Sequence, residues 1–199
     1  MNKINFDLKM QNLIEGLKNQ GKKPKLLLHS CCAPCSSSCI ERLKDNFELI
    51  IYYYNPNMDS EEEFNLRAKE QERLAKEFNL ECIVEKYDSE EFYSSVSGLE
   101  HEKEGSARCE KCFYLRLKKT VRKAKELDCE FFSTTLTVSP LKSADKINKI
   151  GMEIEKEEGV LFLPSDFKKR GGYLRSIELS KQYNLYRQNY CGCKFSKYR

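Results

Sequence analysis

The chain has 199 residues, 33% of them charged and 40% hydrophobic, with a formal charge of +4, which is enough to bury one core without covalent staples. No apolar run approaches a membrane span, and the polar start (Met1–Asp7) lacks the apolar stretch of an export signal. Ten cysteines fall short of a disulfide scaffold, so a cytoplasmic protein with reduced thiols and no membrane partner is expected.

Phe6 to Asn19 carries apolar residues at helical spacing and is ended by Gly-Lys-Lys-Pro. Lys25 to His29 reads as a strand that runs straight into His29-Ser-Cys-Cys-Ala-Pro-Cys35. Ser36 to Lys44 suggests a helix, and Phe47 to Tyr54 a strand broken by Asn55-Pro-Asn. Ser60 and Glu63 form a capping box for a charged helix to Asn79. A third strand is expected over Glu81 to Glu85, and a long acidic loop from Asp88 to Ser106. Cys109 opens a helix to about Leu127, followed by a fourth strand at Glu130 to Thr134. Ser143 caps a helix ending near Gly159, Val160 to Leu163 is a fifth strand, and Ser165 to Gly172 is a loop. Tyr173 to Tyr183 is a last helix, and Cys191-Gly-Cys193 follows.

Strands alternating with helices imply an α/β fold with a mostly parallel sheet flanked by helices. One domain is expected over 1–199, with 165–199 as a basic, aromatic, partly helical C-terminal segment packed on it. Ligands of such sheets bind beyond the carboxyl ends of the strands. The first cysteine group and the loop Ser133 to Lys142 both fall on that rim.

Eight of the 10 cysteines lie in three groups: Cys31, Cys32, Cys35 and Cys39; Cys109 and Cys112; Cys191 and Cys193. In a reducing compartment such grouping points to metal ligation or redox chemistry. Cys109 and Cys112 share one face of a first helical turn, whose N-terminus favours thiolates. With Cys31 and Cys32 they make a four-thiolate set for zinc or a [4Fe–4S] cluster. Adjacent ligands are awkward for one small ion, which favours the cluster. Cys35 is open between a ligand, a redox partner of Cys32 and packing, while Cys39, Cys82 and Cys129 read as small apolar residues. Cys191 and Cys193 are too close to grip most ions, and an oxidised CGC ring is strained and reducible, so this pair reads as a redox dithiol. His29 is taken as a buried strand-end residue, and Lys142 and Arg175 as surface charge.

From Asp166 to Arg199 there are nine Lys or Arg, two acids and seven aromatics, a net of +7 that leaves −3 for residues 1–165. Cations beside stacking rings suit a single-stranded RNA loop, and a solvated tail is the plainer alternative. No GxGxxG, GxxxxGK[ST] or HExxH is present, which removes nicotinamide, P-loop and zincin chemistry.

The segments LLLHSCCAPC (26–35), ARCEKCFYLRL (107–117), STTLTVSPLKS (133–143) and FKKRGGYLRSIELSKQYNLYRQNYCGC (167–193) resemble the QueH-type epoxyqueuosine reductases, in the same order along most of the chain. The resemblance implies a Rossmann-like fold akin to nucleotide-binding enzymes that modify tRNA. It implies cobalamin-free reduction of the cyclopentane epoxide of epoxyqueuosine to the alkene of queuosine, at the wobble position of a tRNA anticodon loop. It also implies a [4Fe–4S] cluster on Cys31, Cys32, Cys109 and Cys112, Cys191 and Cys193 as a redox-active pair, an electron donor, and an additional iron beside the cluster. A monomer is expected, and Asp166 or a neighbouring tyrosine is the candidate proton donor.

Two alternatives stand beside this reading. A cluster-dependent tRNA thiolation enzyme would need an SGGxDS-type pyrophosphate loop after the first strand, where HSCCAPC stands instead. A zinc-stabilised RNA-binding module would use the same cysteines without catalysis.

Overall fold

The computed structural model describes residues 4–197; Met1–Lys3 and, from the basic aromatic segment, Tyr198 and Arg199 lie outside the described residues. The chain runs α1 (Phe6–Asn19), β1 (Lys25–Ser30), α2 (Ala33–Leu43), β2 (Glu48–Tyr53), α3 (Glu61–Glu77), β3 (Glu81–Val84), α4 (Glu90–Ser95), α5 (Ala107–Glu126), β4 (Phe131–Thr134), α6 (Ala144–Glu158), β5 (Leu161–Phe162) and α7 (Gly172–Gln182). Short 3₁₀ turns occupy Thr135–Val138 and Lys194–Ser196.

The five strands form one parallel sheet in the order β3-β2-β1-β4-β5. Strand β1 lies at the centre because its leucines have no polar face. Leu26 and Leu28 pack with α1, α2 and α3 on one side through Met10, Ile40, Leu43 and Leu74. Leu27 packs with α5 and α6 on the other through Phe113, Leu117, Val121 and Ile154. That period-two split is what a sheet buried on both faces requires.

Several helix ends follow the local sequence. Ser60 and Ser143 accept from the backbone N–H of Glu63 and Lys146, and Gly159 ends α6 at φ 76°, the left-handed region that glycine enters without steric cost. Helix α2 begins three residues earlier than its polar run suggests. Pro34 occupies its first turn, where a missing N–H leaves no bond unmade. The acidic stretch 88–106 contains α4, held by Phe92 under α5.

The chain winds from β1 through β2 to β3, then returns to pair β4 on the opposite side of β1. This reversal opens a crevice at the carboxyl ends of β1 and β4. Cys31 and Cys32 leave β1 there, and the turn Thr135–Val138 leaves β4 there.

Candidate metal–thiol site

Cys31, Cys32 and Cys35 come together at the end of β1 and the first turn of α2. Their sulfurs all lie within 4.8 Å of one another, and Cys31 and Cys32 Sγ are 3.8 Å apart. A tetrahedron of thiolates about 2.3 Å from one ion has edges of about 3.8 Å. The adjacency of the two residues is therefore no obstacle to a single ion, contrary to the expectation from their spacing. Cys35, left open by the sequence, belongs to this close group among the described residues.

Cys109 and Cys112 sit on the first turns of α5, packed into two different apolar clusters. Cys109 packs against the cluster that holds Cys31 and Cys32, while Cys112 packs with Phe92 and Val96 beside Cys193. Gly105 N–H donates to Cys109 Sγ at 3.2 Å.

Two cavities meet at this rim. One, of about 520 Å³, is lined among others by Cys31, Cys35, Lys142, Tyr173, Tyr190 and Cys191. That volume falls within the roughly 300–1,000 Å³ of small-molecule sites. The other, about 30 Å³, is lined by Cys109, Cys112, Cys191, Cys193, Lys142 and Asn57. Lys142 and Cys191 wall both. Lys142 is thus half-buried between thiols, not the surface charge expected of it. Burial would lower its pKa, but the charges on Cys191, Cys31 and Cys35 outweigh burial and raise it. It stays an ammonium.

Cys31 is pulled well below the ordinary thiol range, first by hydrogen bonds from Cys32 and then from Cys35, with Lys142 and Arg116 adding to both against burial. Cys32 is pushed up to about 12, chiefly by its bond to Cys31, and burial pushes Cys112 to about 12. One thiolate stabilised by neighbouring S–H donors is an open soft-metal donor set.

His29 is buried in β1, between register partners Tyr52 and Thr134. Burial, then the charge of Arg116, lowers its pKa to about 3, so the ring is neutral. Its Nε2 lies 3.0 Å from the Tyr54 carbonyl and 3.3 Å from Arg116 Nε, and its Nδ1 2.8 Å from Thr134 Oγ1. The carbonyl can only accept and Arg116 Nε can only donate, so Nε2 serves one of these two contacts as a hydrogen bond and not both.

The CGC segment is held over the cysteines by α3 and the loop before it. Asp59 N–H donates to the Gly192 carbonyl at 2.9 Å, Arg67 Nη1 to the Cys191 carbonyl at 3.5 Å, and Lys197 Nζ to Asp59 Oδ2 at 2.8 Å. Arg67 also stacks on Tyr190 at 5.0 Å, and Arg108 on Phe195 at 4.5 Å. Gly192 has φ 110°, and a Cβ there would meet Met58 Sδ at 2.5 Å.

Other candidates fall away from the cavities. Asp166 pairs with Lys168 at 2.8 Å and lines neither; Tyr173 and Tyr190 do line the larger one. Arg175 is an exposed partner of Glu41 and Glu178. Cys39 is buried on the core face of α2, Cys129 is buried at the head of β4, and Cys82 is half-buried on β3. Arg116, Asn55, Asn57 and Asp59 were not singled out by the sequence. Arg116 had a trace there: it shares the helical stripe of Cys109 and Cys112 at i+7 and i+4, a charge on a face otherwise apolar.

The donor set fits a thiolate-bound metal group on a further observation. Asn57 is buried, lines the small cavity beside Cys109 and Cys112, and neither its Oδ1 nor its Nδ2 has a partner. A buried amide with both ends unpaired marks a position that expects a polar ligand.

The family model described as "Epoxyqueuosine reductase QueH" matches residues 26–199. Relatives carrying that name include one from Staphylococcus epidermidis, 41% identical over 202 residues, covering 98% of this chain and 85% of the relative. Another, from Thermotoga maritima, is 38% identical over 174 residues, covering 86% of this chain and 89% of the relative. Among solved structures, the U34-tRNA thiolase NcsA from Methanococcus maripaludis with its [4Fe-4S] cluster aligns with TM-score 0.51 over 96% of this chain and 68% of that one. At 14% identity, this likeness is one of fold.

Proposed function

From the finding that this chain belongs to the epoxyqueuosine reductase QueH family, we propose that it reduces the epoxide of epoxyqueuosine in a tRNA anticodon loop to the alkene of queuosine, as a cytoplasmic enzyme. The observation that carries the reading is the meeting of three cysteine groups, distant in sequence, around two cavities that share Lys142 and Cys191.

In this reading Cys31, Cys32, Cys109 and Cys112 hold a [4Fe–4S] cluster, and Cys35 is the thiol left facing the larger cavity for an additional iron. When bound, the cluster supplies low-potential electrons one at a time. The reaction consumes two electrons and two protons and releases the epoxide oxygen as water. Cys191 and Cys193, as a dithiol that closes to a disulfide, release two electrons and two protons, the number the reduction consumes, and are reset by a thiol reductant. The cavity of about 520 Å³ takes the modified base between Tyr173 and Tyr190, whose rings offer stacking faces. Lys142, which lines that space, supplies a positive charge for the epoxide oxygen and the proton to it when it leaves. Arg187, on the same wall, is placed for a phosphate of the loop. Residues 165–199 act within the one α/β domain as its RNA-facing segment, and the active unit is a monomer.

The test is anaerobic purification with iron, zinc and acid-labile sulfide analysis, followed by incubation with epoxyqueuosine-bearing tRNA and a strong reductant. Brown protein with sulfide, and queuosine in the digested nucleosides, is the expected result. Colourless protein with zinc and no product overturns the reading in favour of a zinc-stabilised RNA-binding module.

A further inference from the structure

Arg67 and Arg116 are the largest fully buried side chains, and they are held differently. Arg67 Nη2 has Glu63 Oε1 at 2.6 Å. Among the described residues no carboxylate pairs with Arg116. Its donors end on Asn55 Oδ1, on Cys112 Sγ at 4.0 Å, and against His29 Nε2 at 3.3 Å. Asn55 is an amide and an imidazole carries no negative charge, so neither offers a counter-charge. A guanidinium removed from water without an anion is strongly disfavoured, and unlike a lysine it does not escape by losing its proton. The remaining groups that face Arg116 are the cysteine sulfurs of the site, with Cys112 Sγ at 4.0 Å from its Nη1.

We infer that Arg116 is the fixed counter-cation of the thiolate-bound cluster, holding its reduced state at a less negative potential than the cysteine cage alone would give. The inference rests on the iron–sulfur reading above. The step concerned is the addition of one electron from a low-potential one-electron donor; no bond forms or breaks and no proton moves. The added negative charge meets a positive charge locked 4.0 Å from a ligand sulfur. Net charge and hydrogen bonds to sulfur are the levers by which a protein sets such potentials. Arg116 is a positioning and tuning residue, since it reaches the sulfur and not the substrate. Lys142 is the second cation at the rim, but it lines the cavities, whereas Arg116 is closed off behind them.

The experiment is an EPR-monitored redox titration of the anaerobically loaded full chain, with dithionite and mediator dyes. Arg116→Gln is expected to shift the midpoint to more negative potential with iron and sulfide content unchanged, and Arg116→Lys to lie nearer the wild type. Asn55→Asp sets a carboxylate against the guanidinium without removing it, and is expected to shift the potential in the same direction as Arg116→Gln. A wild-type midpoint in loaded Arg116→Gln overturns the inference. Where that variant fails to load, an unshifted midpoint in Asn55→Asp overturns it. Wild-type protein that purifies without acid-labile sulfide overturns the cluster reading itself, which separates the two failures.

Discussion

Tyr190 Oη donates to Asp59 Oδ1 at 2.9 Å across 131 residues of sequence, and Lys197 Nζ bonds the other oxygen of the same carboxylate at 2.8 Å. One acid thus fixes residues on both sides of the CGC segment. Burial would raise the Asp59 pKa, but the bonds from Lys197 and Tyr190 outweigh it and hold the carboxyl below its ordinary range. Because the folded value lies below the unfolded one, the clamp contributes fully above the unfolded carboxylate range and is lost as pH falls through the folded value. Proteolysis within 186–197 is therefore expected to accelerate below about pH 4. Asp59→Asn should bring that susceptibility to pH 7, at a cost of about 1–3 kcal/mol for the lost charged hydrogen bonds. Equal cleavage rates for the variant and wild type at pH 7 would show that the clamp does not hold the segment.

Cys191→Ser is expected to abolish turnover while iron, sulfide and the visible chromophore stay at wild-type levels. Its sulfur walls both cavities but belongs outside the proposed ligand set. Loss of the chromophore along with activity would make Cys191 a ligand instead.

Cys112→Ser removes a proposed ligand, and the protein should purify with little iron or sulfide. Cys39→Ala makes the contrast: this residue is buried on the core face of α2, so the chromophore should persist with stability lower by about 1 kcal/mol. Metal analysis and thermal unfolding of the two variants check both statements.

Gly192→Ala places a side chain at φ 110° and against Met58. Strain of about 1–3 kcal/mol is relieved by moving the CGC segment off its seat. A displacement near 1 Å costs about 100-fold in rate where alignment matters. Single-turnover assays should show that loss with the midpoint potential unchanged; a wild-type rate would sink the argument from placement.

Gly151→Ala tests the scaffold alone. A Cβ there would run into the Phe162 ring, between α6 and β5. Overpacking costs about 1–3 kcal/mol, and each kcal/mol lowers Tm by about 2–4 °C in a chain this size. The Tm should fall accordingly, with turnover at 25 °C retained.

Much of the scaffold can be read from local pattern. The apolar run of β1, the serines at 60 and 143 and the glycine at 159 each act through bonds within a few residues, so their roles survive without tertiary context. The α4 helix does not, because it is held by the packing of Phe92 under α5, which the local string does not specify. The same division runs through the site. Cysteine spacing announced metal–thiol chemistry, but Arg116 meets His29 across 87 residues and Asp59 meets Tyr190 across 131, and no window of sequence contains either pair. Lys142 looked like surface charge because Ser-Pro-Leu-Lys is a polar loop; only the reversal of winding beside β4 turns that loop inward.

The docking of residues 186–197 along α3 has a consequence for biogenesis. Those residues follow every strand in chain order, so they leave the ribosome after the sheet and the other cysteine pairs have been made. Cys191 and Cys193, on that last segment, wall the cavities that Cys31, Cys35, Cys109 and Cys112 line, so this enclosure is complete only once the end of the chain is in place.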